Sequence, residues 1–136
     1  MTANAKDVLA RTMTEEELGE SVRDACNKLG LLCYHTRDSR RSQAGFPDLV
    51  IAGGHNPAPE LWLGGWANVL FAELKTEGGK VRPSQEQWLR VLVGAGCNVH
   101  VWRPSDWLND AILRELQALA ETGSKLLNGD IEAALQ

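Results

Sequence analysis

Cysteine is scarce in this sequence. Its three cysteines are Cys26, Cys33 and Cys97, and no two of them form a C-x-x-C pair. That spacing argues against a zinc knuckle and against a thioredoxin-like redox motif. We expect ordinary thiols that are buried or half-buried in the fold.

Long hydrophobic runs are also lacking. No apolar stretch approaches the roughly 20 residues that cross a bilayer, and the first residues do not have the apolar core of a secretion signal. We therefore expect no membrane partner. The expected location is the cytoplasm of a cell or of an infected host, and not the outside of the cell.

An excess of positive charge is lacking too. The chain has 14 lysines and arginines against 18 acids, for a formal net charge of −4. Charge alone therefore does not suggest a nucleic-acid partner. The distribution is uneven, however, because residues 31–102 contain seven bases and six acids. The middle of the chain can therefore carry a local basic surface.

The 136 residues fit one globular domain, since 43% are hydrophobic and 24% are charged. We expect a flexible lead-in over residues 1–13, a domain over 14–121 and a tail over 122–136. Thr14 with Glu17 has the form of a capping box, which predicts a helix that ends at Gly30. Gly19 inside this helix should weaken it by about 1 kcal/mol relative to alanine.

Four apolar segments read as strands, and two further helices follow from the positions of proline and the spacing of apolar residues. The expected strands are Leu31–Thr36, Asp48–Ala52, Val69–Lys75 and Cys97–Trp102. The helices should begin near Pro83 and Pro104, and the second should continue to Leu119. The order α-β-β-β-α-β-α predicts a mixed α/β domain. A basic loop should cover Arg37–Gly45 and a long connection Gly53–Asn68.

Three charged residues carry the strongest chemical signal. Side chains alternate along a strand, so Glu73 and Lys75 share one face; alone, they could be a structural ion pair. Asp48 opens another short strand, and neighbouring strands lie about 4.8 Å apart. Asp48 and Glu73 could then share a divalent cation, and hard oxygen ligands favour Mg²⁺ or Mn²⁺.

These residues resemble a known nuclease signature. Pro47-Asp48 followed by Glu73-Leu74-Lys75 is similar to the PD-(D/E)xK motif. Together with Gly45-Phe46 and with Pro83-Ser84-Gln85, the pattern resembles the VRR-NUC family, the virus-type replication–repair nucleases. Members of this family occur alone in phages and as domains of larger DNA repair enzymes. The resemblance implies a restriction-endonuclease-like core with a mixed sheet of about four strands.

The resemblance also implies a set of site residues. Asp48 and Glu73 match the metal-binding carboxylates, and Lys75 matches the catalytic lysine. The backbone carbonyl of Leu74 is a further expected metal ligand, and Gln85 matches a glutamine that supports the site or contacts phosphate. An acidic residue at the start of the first predicted helix completes the set. For this role we favour Glu15, while Glu16, Glu17 and Glu20 stay open.

Basic residues near the motif are candidates for DNA contacts, because arginines and hydroxyls suit phosphate groups. The expected DNA-binding residues are Arg37, Ser39, Arg40, Arg41, Lys80 and Arg82. A solvated basic loop is the alternative for Arg37–Gly45.

The implied function is a Mg²⁺- or Mn²⁺-dependent DNA endonuclease. Stand-alone relatives resemble Holliday junction resolvases, which implies a homodimer acting on branched DNA. The alternatives are a nuclease for flaps, ends or nicks, a catalytically idle nucleic-acid-binding module, and a purely structural α/β protein.

Overall fold

A computed structural model describes residues 4–36, 43–53 and 69–121. The helices are α1 (Ala5–Thr12), α2 (Glu15–Lys28), α3 (Pro83–Gly94), α4 (Pro104–Leu108) and α5 (111–121). The strands are β1 (Leu32–His35), β2 (Leu49–Ala52), β3 (Val69–Leu74) and β4 (Asn98–Trp102). Several sequence predictions lie outside the described residues: Arg37, Ser39, Arg40 and Arg41, most of the 53–68 connection, and the tail over 122–136.

The strands form one sheet in the order β1-β2-β3-β4. β1 pairs antiparallel with β2, and β2 with β3, whereas β3 and β4 are parallel and are joined through α3. The predicted mixed α/β architecture is therefore confirmed. Because β3 and β4 run in the same direction, the segments that follow Leu74 and Trp102 leave the sheet at the same end.

The core lies between α2 and one face of the sheet. Apolar residues of α2 recur at helical spacing, and they pack against alternate residues of β2 and β3. The largest fully buried side chains of this layer are Leu18, Val22, Cys26, Leu49, Ile51 and Leu70. This burial fixes the register of β2 and β3, since a slip of one residue would turn their apolar side chains outward.

The N-terminal segment differs from the predicted flexible lead-in, because residues 5–12 form helix α1. A capping box starts this helix: the backbone N–H of Asp7 donates to the Asn4 side chain at 2.9 Å, and the Asn4 N–H donates back to the Asp7 carboxylate. Ala10 is buried, and α1 packs on α4. The cap, which supplies partners for free N–H groups, explains why so short a segment is helical.

The last predicted helix is also corrected. The predicted continuous helix from Pro104 is broken after Leu108, where Asp110 adopts a left-handed conformation with φ of 65°. The Asn109 side chain then accepts a hydrogen bond from the Ala111 N–H at 2.9 Å and caps α5. The apolar residues of α5 still face the core, with Ile112 and Leu116 fully buried.

Within the described part of the chain, no helix combines the length and apolar character needed to span a bilayer.

Candidate active site

Asp48 lies just before β2 and is fixed by the backbone of β3. Its Oδ2 accepts a hydrogen bond of 2.8 Å from the Leu74 N–H. The register pairs Leu49 with Ala72, and one step further it places Asp48 opposite Glu73. The two acids of the sequence motif therefore lie side by side at one end of the sheet.

The turn before Asp48 packs tightly against the start of α3. Gly45 has φ of +85°, and a Cβ at this position would overlap the backbone carbonyl of Ser84. The Phe46 ring packs edge-on against Phe71 and Trp88, with centroid distances of 6.3 and 5.1 Å. Glycine is needed here because the backbone approaches the helix start so closely. The turn thereby ties Asp48 to the first residues of α3.

Glu73 is almost completely buried, with 1% of its surface exposed. Its Oε1 accepts a 2.6 Å hydrogen bond from Gln85 Nε2, and it lies 3.9 Å from Lys75 Nζ. Its Oε2 has no hydrogen-bond partner among the residues that the structure describes. Buried acceptors are rarely left unpaired, so this oxygen marks a place for a further ligand.

The environment raises the pKa of Glu73 to about 8, mainly because burial disfavours the carboxylate. The charge of the neighbouring Asp48 raises this pKa further, whereas the Lys75 ammonium opposes the rise. Glu15 adds a smaller repulsion. Two acids held this close favour either a shared proton or a bound cation.

Gln85 is held at both ends of its amide. The Nε2 group donates to Glu73, while Oε1 accepts a 2.9 Å hydrogen bond from the Arg82 N–H at the start of α3. This bridge fixes the orientation of the amide, and with it one oxygen of Glu73. Gln85 therefore contacts the buried acid Glu73 directly.

Among the acids at the start of α2, Glu15 and Glu16 line a cavity of about 160 Å³ that Asp48 also lines. Glu17 instead accepts a hydrogen bond from the Thr14 hydroxyl and takes part in the helix cap. Gly19 is buried, and a Cβ there would lie 3.2 Å from Leu74 Cδ1. The glycine expected to weaken α2 thus lets the helix approach β3 closely.

The donor set suits a hard divalent cation. Asp48 and Glu73 supply adjacent carboxylates, and Glu73 Oε2 has no other partner in the described segments. The Leu74 carbonyl is the further oxygen ligand that we propose, while Glu15 lines the adjoining cavity. Among the residues described, however, no three Asp, Glu, His or Cys side chains are grouped closely enough to hold an ion. Two carboxylates would therefore need backbone or water oxygens beside them, as Mg²⁺ sites often do.

Lys75 leaves β3 in a fixed position. It is 5% exposed, and its backbone N–H donates to the Trp102 carbonyl at 3.0 Å. Lys80 and Arg82, which follow Lys75 in the chain, have exposed side chains. The described structure thus gathers Asp48, Glu73, Lys75 and Gln85, while Glu15 lines the adjoining cavity.

Sequence reasoning missed two arginines. Arg23 lines the same cavity as Asp48 and Glu15. Its position eight residues after Glu15 and four after Gly19 puts it on the same helix face, a signal that the sequence contained. Arg103 reaches the loop after Lys75, where its Nη1 donates to the carbonyls of Thr76 and Gly79 at 2.8 and 2.6 Å. Only the parallel pairing of β3 with β4 could have indicated that contact.

Comparisons with known proteins identify the family of this chain. The family model described as the VRR-NUC domain matches residues 2–106, while no curated protein matches the sequence. A solved structure described as "VRR_NUC domain" is 22% identical, with a TM-score of 0.52 over 74% of this chain and 96% of its own. Another, a "VRR_NUC domain protein", is 19% identical, with a TM-score of 0.55 over 79% of this chain and 91% of its own. The chain therefore belongs to the VRR-NUC domain family, and with it to the nucleases of the PD-(D/E)xK superfamily.

Proposed function

We propose that this nuclease is a DNA endonuclease that hydrolyses phosphodiester bonds with Mg²⁺ or Mn²⁺. The observation that carries the proposal is the pair formed by buried Glu73 and half-buried Asp48 beside Lys75, in which Glu73 Oε2 has no partner among the described residues. A structural ion pair does not need a second acid. A cation site does, because the cation offsets the repulsion between the two carboxylates.

Each residue has a distinct proposed role. Asp48 and Glu73 would hold the cation together with the Leu74 carbonyl and water, and Glu15 in the adjoining cavity would act through one of these waters. When bound, the cation supplies a water of lowered pKa and polarises a phosphate oxygen. The Lys75 ammonium would orient the attacking water and offset the negative charge that grows on the phosphate. Gln85 would keep Glu73 in its ligating orientation through the 2.6 Å hydrogen bond.

The proposed substrate is branched DNA, with a four-way junction as the first candidate and a homodimer as the working form. The support for this finer step is the family resemblance together with symmetry. The described residues form a single centre, whereas paired cuts at a two-fold symmetric junction need two centres, and a two-fold dimer provides them. A role in DNA repair or in phage replication would follow from such a substrate.

The test is cleavage of a labelled four-way junction beside linear duplex and flap controls. We expect cleavage with Mg²⁺ or Mn²⁺, none with chelator, and binding without turnover in Ca²⁺. Asp48→Asn, Glu73→Gln and Lys75→Ala should each lower the rate about a hundredfold or more, because each removes a ligand or a stabilising charge.

Glu86→Gln is the matched control, since Glu86 is an exposed acid of α3 that pairs with Arg90. This variant should cleave at the wild-type rate. Cleavage by folded Glu73→Gln at that same rate would contradict the proposed centre. Preferential cutting of flaps or nicked duplex would retain the centre and replace the junction as substrate.

A further inference from the structure

The cavity beside Asp48 is lined by both acidic and basic residues. The proposed chemistry gives several of these residues no role. It has a volume of about 160 Å³ and lies between the first turns of α2 and the ends of β1 and β3. Acids form part of its wall, and a guanidinium and a hydroxyl form another part. Its polar lining residues are Glu15, Glu16, Arg23, His35, Thr36 and Asp48.

Arg23 is the strong hydrogen-bond donor of this lining. It is half-buried, and in the segments that the structure describes no acid forms an ion pair with it and no acceptor bonds to it. Arg23 Nη1 lies 3.5 Å from the position that a Cβ on Gly19 would occupy. A Cβ at position 19 would only come into ordinary van der Waals contact with the guanidinium, which therefore lies directly beside Gly19.

A partly buried guanidinium with free donors suits an anion that arrives with the substrate. Arginine offers five N–H donors in a planar fork, which matches the oxygens of a phosphate group. Thr36 follows β1 and is anchored by its N–H, which donates to the Asp48 carbonyl at 3.1 Å. Its position places a hydroxyl-bearing residue in the same lining, next to the catalytic acid.

The acids of the cavity set a condition on such binding. Glu15, Glu16 and Asp48 carry more negative charge than one arginine can offset, so an anionic phosphate would be repelled from the empty cavity. A divalent cation on the carboxylates removes that repulsion. Phosphate binding by Arg23 and cation binding by the acids are therefore expected to reinforce each other.

We propose that Arg23, with Thr36 beside it, forms a phosphate-binding subsite that holds a phosphodiester group of the bound DNA strand next to the cation. This inference rests on the proposed nuclease function, and it adds a substrate contact from α2 to a centre otherwise built on β2, β3 and α3. The coupling makes the contribution of Arg23 to DNA affinity dependent on the cation.

The experiment measures the affinity of a labelled four-way junction by fluorescence anisotropy in Ca²⁺ and in chelator. Arg23→Ala should weaken binding about tenfold in Ca²⁺, as the removal of one charge-assisted hydrogen bond predicts. It should also reduce the log–log salt slope by about one unit. In chelator the same substitution should change affinity less than about twofold. Arg23→Lys, which retains charge without the fork, should recover only part of the affinity.

Arg90→Ala is the control, because Arg90 is 77% exposed on α3 and pairs with Glu86. It removes the same charge and should leave both affinities unchanged. Thermal unfolding of each variant shows whether the fold is retained; if Arg23→Ala unfolds, Arg23→Lys carries the comparison. Wild-type affinity of the folded Arg23 variants in Ca²⁺ would overturn the subsite, as would an equal reduction with and without the cation. Failure of wild-type protein to bind or cut DNA would instead overturn the proposed function.

Discussion

A buried glutamate beside an aspartate makes the stability of the cation-free protein depend on pH. The pKa of Glu73 is about 8 in the folded protein, against an ordinary value of 4.5. Below pH 4.5 the side chain is protonated in the folded and unfolded states alike. Between these values the unfolded chain releases the proton and the folded protein keeps it, so the folded state loses stability as the pH rises.

We therefore expect the unfolding free energy of the protein in chelator to fall between about pH 5 and pH 8. The contribution of Glu73 reaches at most about 1.4 kcal/mol per pH unit. Glu73→Gln should remove this contribution, since a glutamine can still accept from Gln85 and carries no charge. The measurement is the difference between the denaturant unfolding curves of the two proteins from about pH 5 to pH 9. Parallel pH profiles would show that Glu73 is ionised in the folded protein.

The residues of the candidate site could be proposed from the sequence because residue type and spacing indicate their chemistry, and the structure places Asp48, Glu73 and Lys75 close together. Asp48 and Glu73 follow from a motif, and strand alternation places Lys75 beside Glu73. Arg23 and Gly19 could not be assigned in the same way. Their positions matter only because α2 lies against Leu74, and the helix pattern alone does not say what that helix contacts.

At the scale of elements, a second arginine organises the loop that follows Lys75. Arg103 Nη1 donates to the carbonyls of Thr76 and Gly79, and also to that of Glu77 at 3.3 Å. The Glu77 carboxylate in turn accepts a 3.1 Å hydrogen bond from the Ser105 N–H at the start of α4. The end of β3 and the start of α4 are thus held together by side chains from both sides.

We expect Arg103→Ala to loosen residues 76–80 and to lower the unfolding free energy by about 1–3 kcal/mol, because three carbonyls are deprived of a charged donor. Cleavage should also slow, since Lys75 directly precedes this loop. Hydrogen exchange of residues 76–80 and single-turnover cleavage measure the two effects.

Arg114→Ala is the comparison variant, because Arg114 is exposed and makes one hydrogen bond of 3.4 Å to the Asn109 carbonyl. It should alter neither exchange in the loop nor cleavage. Unchanged exchange over residues 76–80 in Arg103→Ala would show that the loop keeps its shape without the guanidinium.

The four strands and the helices α2 and α3 were predictable, while the helix α1 and the break between α4 and α5 were not. The apolar spacing of α2 and the alternation in β3 give clear patterns, and both elements lie within a residue or two of their predicted bounds. The helix α1 depends on a local cap, and the break between α4 and α5 depends on a left-handed Asp110. Neither feature produces a hydrophobic pattern over several turns, so sequence periodicity does not report it.

At the scale of the whole molecule, an acidic protein has to bind a polyanion. The net charge is −4, so long-range attraction of DNA to the protein as a whole is not expected. Binding of DNA must instead depend on lysine and arginine side chains near the site. Lys80 and Arg82 are exposed between β3 and Gln85, and Arg37, Arg40 and Arg41 precede Asp48 in sequence outside the described residues.

The double variant Lys80→Ala with Arg82→Ala should therefore weaken DNA binding and lower the log–log salt slope by up to about two units, because fewer counterions leave the DNA when fewer phosphates are neutralised. Lys28→Ala with Arg90→Ala is the matched control, since both basic side chains are exposed and already pair with acids four residues away. Both double variants change the net charge equally, so a difference between them measures position and not total charge.

DNA affinity is measured across a salt series. Single-turnover cleavage at saturating protein reports on the proposed centre itself, and its rate should stay near that of the wild type. Equal salt slopes in the two double variants would mean that the DNA path avoids the segment between β3 and α3.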